Sequence, residues 1–382
     1  MPARRVGVAW VPTTACLLLL LIDSRLAAAA VPAGQPTPPV VLRRLRLPGP
    51  VRAVMLRIDP EVVRFDVVPA RPGGGSASLR RLAQRHHALA AINGDFSSGG
   101  WPAHLLMHDG RLLTSGDAYG AAFAMDATGT RASVVTAHAP IAAVRLDTGT
   151  RIGIARWNAG EAPGDRMAAF SGRSAPPTDH PSTCSALLRP APAPRPRNRF
   201  HVIASGCGVK HAVSRGDVVM TAREVSPSGR WLQALSPRVP IVVRVDTGLP
   251  VVSEAFGGMP LLVHRGRVLR TPCRPLTCTL HPRTAAGFTR GCFDITASTR
   301  CRMLMVVVDG RRATWSVGMA TNRLARLLLG LGAYEGVNLD GGASSQIIVH
   351  GRMQNRPAPG ARRAVVSALI VRPMPARGGS SL

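Results

Sequence analysis

Acidic side chains are scarce in this 382-residue chain, where 20 Asp and Glu stand against 48 Lys and Arg and leave a formal charge of +28. Lysine is nearly absent, Lys210 being the one example, so the excess is almost all arginine. Aromatics make up only 4% of residues. With so few stacking side chains, and no helix-turn-helix, finger or RNP-like pattern, nucleic acid is not the expected partner. The charge is then either attraction to another polyanion, such as a wall polymer or phosphorylated glycan, or drift in a chain rich in Arg, Ala, Gly, Pro and Val. Past residue 30, no run is continuously apolar over the length a bilayer needs.

The first 30 residues have the layout of a secretory signal: Arg4 and Arg5, a short apolar run from Cys16 to Ile22, and small residues from Ala27 to Ala30. This predicts a secreted or cell-surface protein, with membrane contact only through an uncleaved leader. Without Cys16, six cysteines remain: Cys184, Cys207, Cys273, Cys278, Cys292 and Cys301. An even count in an exported chain points to disulfides. Neighbour pairing (184 with 207, 273 with 278, 292 with 301) is preferred among the possible connectivities. The spacings do not form zinc knuckles.

A proline-rich linker occupies residues 31–40. From Val41 short β-branched runs read as consecutive strands, and Ser78 to Ala90 reads as a helix with Ser78 as N-cap. Asp109-Gly110 and Asp309-Gly310 read as turns. Residues 174–199 are so proline-rich that they read as a surface insertion tethered by Cys184. Val239 to Val245 reads as a buried strand, and Thr321 to Leu331 as a helix capped by Thr321 and stopped by Gly332. Residues 373–382 read as a flexible tail. No internal repeat is evident. The expected fold is α+β: mixed or antiparallel sheets with a few packed helices, forming one catalytic domain over residues 41–372.

Two stretches concentrate polar chemistry. In Gly336 to Ser345, GVNLDGGASS, the residues Asn338, Asp340, Ser344 and Ser345 crowd around Gly341 and Gly342. A carboxylate, a carboxamide and two hydroxyls on a glycine-rich loop suit a polyhydroxylated ligand, although an Asx-type turn explains the same residues. Asn93, Gly94 and Asp95 form the second cluster, and Asn-Gly is also a strong hairpin-turn signal. Arg283 beside Thr284 could clamp an anion through its planar fork. No G-x-S-x-G elbow supports a serine hydrolase.

The ordered string INGDF, FGGMPLLVHRGR, HPRTAAGF, VVVDGR, the helix TNRLARLLLGLGA and VNLDGGASS resembles the phosphodiester glycosidase family. The resemblance covers roughly residues 41–371. It departs at Ala343, where the family has a third glycine, at His281, where the family often has Asn, and at Ala103-His104 and Ser97. What it implies is a hydrolase that cuts the bond between a sugar's anomeric carbon and phosphate in a sugar-1-phosphodiester of a cell-surface glycan or exopolysaccharide. Phosphate leaves readily, so the site must mainly stabilise an oxocarbenium-like centre and hold phosphate charge. Asp340 is the first candidate catalytic carboxylate and Asp95 the second. Asn93, Gly94, Asn338, Gly341, Gly342, Ser344, Ser345, Arg283 and Thr284 are the candidate substrate contacts. No cofactor is expected, although clustered oxygens could take a divalent cation such as calcium. The alternative is a non-catalytic module that binds extracellular glycan or anionic polymer. With no Asn-x-Ser/Thr sequon present, an exported bacterial protein fits better than a glycosylated lumenal one.

Overall fold

The computed structural model describes residues 38–136, 139–172, 178, 180–192, 198–359 and 364–374. The expected signal and most of the linker lie outside the described residues, as do residues 375–382 of the tail. From Pro39 onward the chain forms one compact unit. The architecture is mainly β, in several antiparallel sheets and a closed barrel; the expected antiparallel sheets and few helices are present, but strands dominate more than the α+β class implies.

The sheets reveal a threefold internal repeat, which corrects the expectation of none. Three strands, Ala90–Asn93, Glu254–Gly258 and Glu335–Asn338, play the same part. Each pairs on one side with a hairpin supplied by the previous copy. Leu106–His108 pairs with Glu254–Gly258, Leu261–His264 with Glu335–Asn338, and Ile347–Val349 closes the circle on Ala90–Asn93. On its other side each pairs with one strand of a two-stranded unit: Ala121–Met125, Arg283–Phe288 and Ser367–Pro373 respectively for the second, third and first copies. Helices Leu79–Arg85 and Thr321–Gly330 precede the first and third of these strands. Before the second stands the barrel, in the slot a helix fills elsewhere.

The repeat is hard to see in sequence because only its turns are alike. His108-Asp109-Gly110-Arg111, His264-Arg265-Gly266-Arg267 and Val349-His350-Gly351-Arg352 each put two residues at positive φ: 49 and 72°, 49 and 71°, 47 and 74°. That is the geometry of a two-residue hairpin turn matched to strand twist. In two copies a buried glutamate ties the turn down. Glu254 accepts from His108 Nδ1 (3.1 Å) and the Asp109 amide (2.8 Å), and Glu335 from His264 Nδ1 and the Arg265 amide (both 3.0 Å). In the first copy Ala90 faces Val349 instead, an apolar pair in place of the polar one. The inner faces of the three sheets share one core. Phe123, Phe256 and Phe288 meet there, one from each of three strands, with Phe123 stacked 5.6 Å from Phe256 and 5.4 Å from Phe288. Such rings combine large apolar burial with defined mutual geometry.

The barrel runs Ile141–Arg145, Arg151–Trp157, Met167–Ser171, Val218–Arg223, Thr183–Pro190, Arg199–Cys207 and Pro240–Val245 in spatial order. Thr183–Pro190 lies within the presumed surface insertion, so that expectation is corrected. Pro181 and Pro190 bracket a proline-free run whose Cys184 to Leu188 are buried between two partner strands. Cys184 and Cys207 are register partners, so their disulfide crosses adjacent strands. All three disulfides follow the neighbour pairing.

Helix ends moved slightly from expectation. Ser78 does cap the first helix, its Oγ accepting from the Arg81 amide, but the helix ends at Arg85 and Ala90 opens a strand. Thr321 is the first helical residue after an Ala320 cap, and its hydroxyl donates to the Thr277 carbonyl. Gly332, at φ 94°, stops that helix as expected, with the Gly332 and Ala333 amides closing on Leu329 and Leu328.

Candidate active site

The loops that follow the first and third repeat strands meet. The Asp340 amide donates to the Gly94 carbonyl (3.1 Å), and the Asn93 carboxamide donates to the Asp340 carbonyl (2.7 Å). Strand Arg283–Phe288 runs beside them, its Thr284 carbonyl accepting from Leu339 (2.8 Å) and the preceding Pro282 carbonyl from Gly342 (2.8 Å). Residues 93–95, 283–284 and 338–345 therefore form one constellation. Gly94 shows why this packing needs glycine: a Cβ there would stand 2.4 Å from Ser367 Oγ. The Asn-Gly pair is thus a point of close approach, not a hairpin turn.

Within the constellation the side chains differ sharply in access. Asp340 is half-buried. Asn93 is fully buried and its carboxamide is occupied: besides Asp340, its Oδ1 accepts from Thr284 Oγ1 (2.8 Å) and the Gln346 amide (3.1 Å). Thr284 is equally buried, its hydroxyl given to Asn93. Asn338 donates to the Met259 carbonyl (2.7 Å), while its Oδ1 and the Ser345 hydroxyl are buried polar atoms without a hydrogen-bond partner among the described residues. Ser344 is buried in the 3-10 turn Gly342–Ser344.

Asp95 is enclosed. Its carboxylate accepts from the Phe96 amide (2.7 Å), the His104 amide (2.7 Å) and His104 Nδ1 (2.8 Å). Burial pushes its pKa above the ordinary carboxylate value, against the pull of those donors. Burial works against a charge on His104 as well, yet the hydrogen bond and charge of Asp95, helped by the Tyr119 carbonyl, leave its pKa raised. The pair is a buried strut that fixes the 95–104 segment.

Arg283 is buried with its Nε on the Met319 carbonyl (2.8 Å) and its Nη2 on the carbonyls of Leu276 (2.8 Å) and Thr279 (3.0 Å). Desolvation lowers its pKa to about 10. It anchors the short disulfide-closed helix Pro275–Cys278 and sets a positive charge behind the 340–342 loop. The guanidinium that reaches the loop from outside is Arg311, which sequence reasoning left inside a motif without a role. A Cβ on Gly342 would lie 3.1 Å from Arg311 Nη2. Arg311 holds a positive φ of 58° and contacts His281 Nδ1 at 3.4 Å. Burial, then the charges of Arg283 and Arg311, push the His281 pKa down, so its ring is neutral and Nδ1 is the acceptor.

Asp309, expected to be a turn residue, is instead a buried anchor. Its carboxylate accepts from Trp315 Nε1 (2.8 Å), Asn355 Nδ2 (3.0 Å) and the Arg356 amide (3.0 Å). Asn355 in turn donates to the Ser345 carbonyl (3.1 Å), so Asp309 braces the active loop from one side while Asn93 braces it from the other.

No curated protein matches the chain. Among solved structures it is similar to a hypothetical protein from Synechocystis, with TM-score 0.64 and 17% identity over 88% of this chain and 62% of that one. A Burkholderia pseudomallei protein described as exported matches with TM-score 0.59 and 20% identity, over 85% of this chain and 74% of that one. The zebrafish N-acetylglucosamine-1-phosphodiester alpha-N-acetylglucosaminidase catalytic domain gives a TM-score of 0.43 at 13% identity, covering 88% and 82% of the two chains. The chain thus spans about three fifths of the Synechocystis protein, 62%, and the two stronger likenesses establish the fold. The phosphodiester glycosidase family model matches residues 204–372, a stretch that carries Arg283, Thr284, Arg311 and the whole 338–345 loop. Over residues 204–372, this chain is similar to the phosphodiester glycosidase family.

Proposed function

We propose that the protein hydrolyses the bond between a sugar's anomeric carbon and phosphate in a sugar-1-phosphodiester, outside the cell. The observation that carries this reading is the half-buried Asp340 on a loop braced from both sides and flanked by Arg311 and Arg283. A carboxylate beside two cations matches a reaction in which positive charge develops at carbon while phosphate departs. The match to the phosphodiester glycosidase family model over residues 204–372 supports the reaction class. Three disulfides fit an extracellular setting, and among the described residues no helix is long and apolar enough to cross a membrane.

In this mechanism Asp340 faces the anomeric carbon, stabilises its developing charge and takes a proton from the attacking water. The C–O bond breaks with its electron pair on the phosphate oxygen, giving free sugar and a phosphate monoester. Arg311 meets the phosphate with its exposed fork, and Arg283 adds its field from behind. Asn93, Thr284 and Asp95 act by positioning, since their polar atoms are taken up by protein partners. Gly341 and Gly342 keep the loop slim enough for the ligand to approach its backbone.

Incubation with a sugar-1-phosphodiester and assay for reducing sugar tests the reading. Release of free sugar by the wild-type protein supports it. Retention of intact diester without release identifies a binding module instead.

A further inference from the structure

A strip of arginines runs away from the Gly342 loop across the rim of the largest open sheet. Strand Val40–Leu47 is the edge of that sheet and pairs with Val51–Ile58. Arg46 stands directly opposite Arg52 in this ladder, and Arg44 projects on the same face two residues away. Like charges in such a pair are destabilising. The Arg52 guanidinium lies 4.9 Å from the Trp315 ring centroid, and that of Arg356 lies 5.2 Å from the same ring. Two cations thus converge on one indole. Among the described residues none of Arg44, Arg46, Arg52 or Arg356 enters an ion pair. The nearby acid, Asp309, has its carboxylate on Trp315, Asn355 and the Arg356 amide.

The strip joins the active loop through bonded neighbours. The Arg52 carbonyl accepts from the Asp309 amide (2.9 Å), and two residues further Arg311 reaches Gly342. Arg44 donates to Gln354 (2.7 Å), next to the Asn355 that holds the Ser345 carbonyl (3.1 Å). Arg44, Arg46 and Arg356 are exposed, while Arg52 and Trp315 are half-buried. An uncompensated, aromatic-backed row of forked cations that ends at a phosphodiester-cleaving loop needs a ligand with repeated negative charge.

We infer that this Arg44–Arg46–Arg52–Trp315–Arg356 strip is an extended binding track for a phosphate-repeat glycan, so that the substrate is a polymer of sugar phosphates rather than an isolated diester. The inference rests on the proposed reaction. Guanidinium forks bind phosphates along the chain, and the indole holds the Arg52 and Arg356 forks in place behind them. Each phosphate bound releases counterions, so polymer affinity falls with salt more steeply than affinity for a single diester.

The test compares poly(N-acetylglucosamine 1-phosphate) with the methyl diester of N-acetylglucosamine 1-phosphate, using the full chain, its Arg46→Gln/Arg356→Gln double variant and the matching double Lys variant. For the wild type, kcat/KM per repeat should favour the polymer about tenfold at about 50 mM salt, and the preference should shrink by about 200 mM. The Gln variant should lose most of that preference, with the change in KM, and its salt slope should drop by about one to two. The Lys variant should keep much of it, which separates charge from fold. An unchanged polymer-to-diester ratio in the Gln variant would overturn the track. So would equal or tighter binding of single-stranded DNA of the same charge, measured by anisotropy with labelled polymer as competitor. If the wild type hydrolyses neither substrate, the proposed reaction fails, and the same anisotropy measurement still decides the track: loss of polymer binding in the Gln variant sustains it, and unaltered binding removes it.

Discussion

Asn93 and Asp340, 247 positions apart in the chain, are joined by a hydrogen bond of 2.7 Å from carboxamide to main-chain carbonyl. The bond fixes the residue that would act on substrate without touching its carboxylate. Asn93 also receives Thr284 Oγ1 and the Gln346 amide, so one buried side chain locks three segments.

Replacing Asn93 by Ala should therefore leave two buried donors and one acceptor unmatched and cost about 3 kcal/mol of stability. Urea denaturation should show a lower midpoint with the slope preserved. A midpoint within error of wild type would mean that Asn93 does not brace the loop.

Asp340→Asn should keep the fold, since Asp340 is half-buried on a loop, and lower the rate of sugar release by about 10³-fold or more. A thermal melt matched to wild type, together with lost turnover, is the expected pattern. Asp95→Asn should behave differently. It disturbs the buried His104 strut, so the melting temperature should fall along with activity.

The Asp95–His104 strut also predicts a direction for pH. The folded-state pKa of His104 is raised above the ordinary 6.5, so the stability it contributes is present below 6.5 and lost as pH rises through the folded value. The Asp95 pKa is raised from 3.8 by burial and acts in the same sense, because the folded state holds its proton longer. The difference in melting temperature between wild type and His104→Gln should shrink from about pH 6 to about pH 9. A difference that grows across that range would contradict the assignment.

His281 should show the opposite dependence. Its pKa lies below 6.5, and only the neutral ring accepts from Arg311. As pH falls through the lowered value, the imidazole charges, the bond to Arg311 is lost and KM for the diester should rise. His281→Asn restores a neutral acceptor and should abolish this acid limb while holding kcat within about threefold of wild type. An unaltered acid limb would show that another group sets it.

Much of this was legible in the chain because it depends on local signals. The glycine-rich loop after Asp340, the Arg283 strand, the cysteine pairs and the Gly332 helix stop depend on turn chemistry and near neighbours. What stayed hidden was long-range. Nothing in Asn93, Thr284 or Asp95 announces that their polar atoms face inward, because access is decided by strands hundreds of residues away. The threefold repeat left a trace in HDGR, HRGR and HGR, each after apolar residues, but the turns differ in length of flanking match and one copy replaces its Glu–His tie with Ala90 and Val349. The barrel interrupts the second copy, and the density of proline around 174–199 masked a buried strand whose own core, Cys184 to Leu188, contains none.

The central claim is that water attacks the sugar carbon and leaves the phosphorus untouched. Hydrolysis of a sugar-1-phosphodiester in ¹⁸O-labelled water, followed by mass spectrometry of both products, tests it most directly. The account predicts label in the anomeric hydroxyl of the released sugar, none in the phosphate monoester, and no product from Asp340→Asn. Label in the phosphate would place the cut at the P–O bond and contradict it.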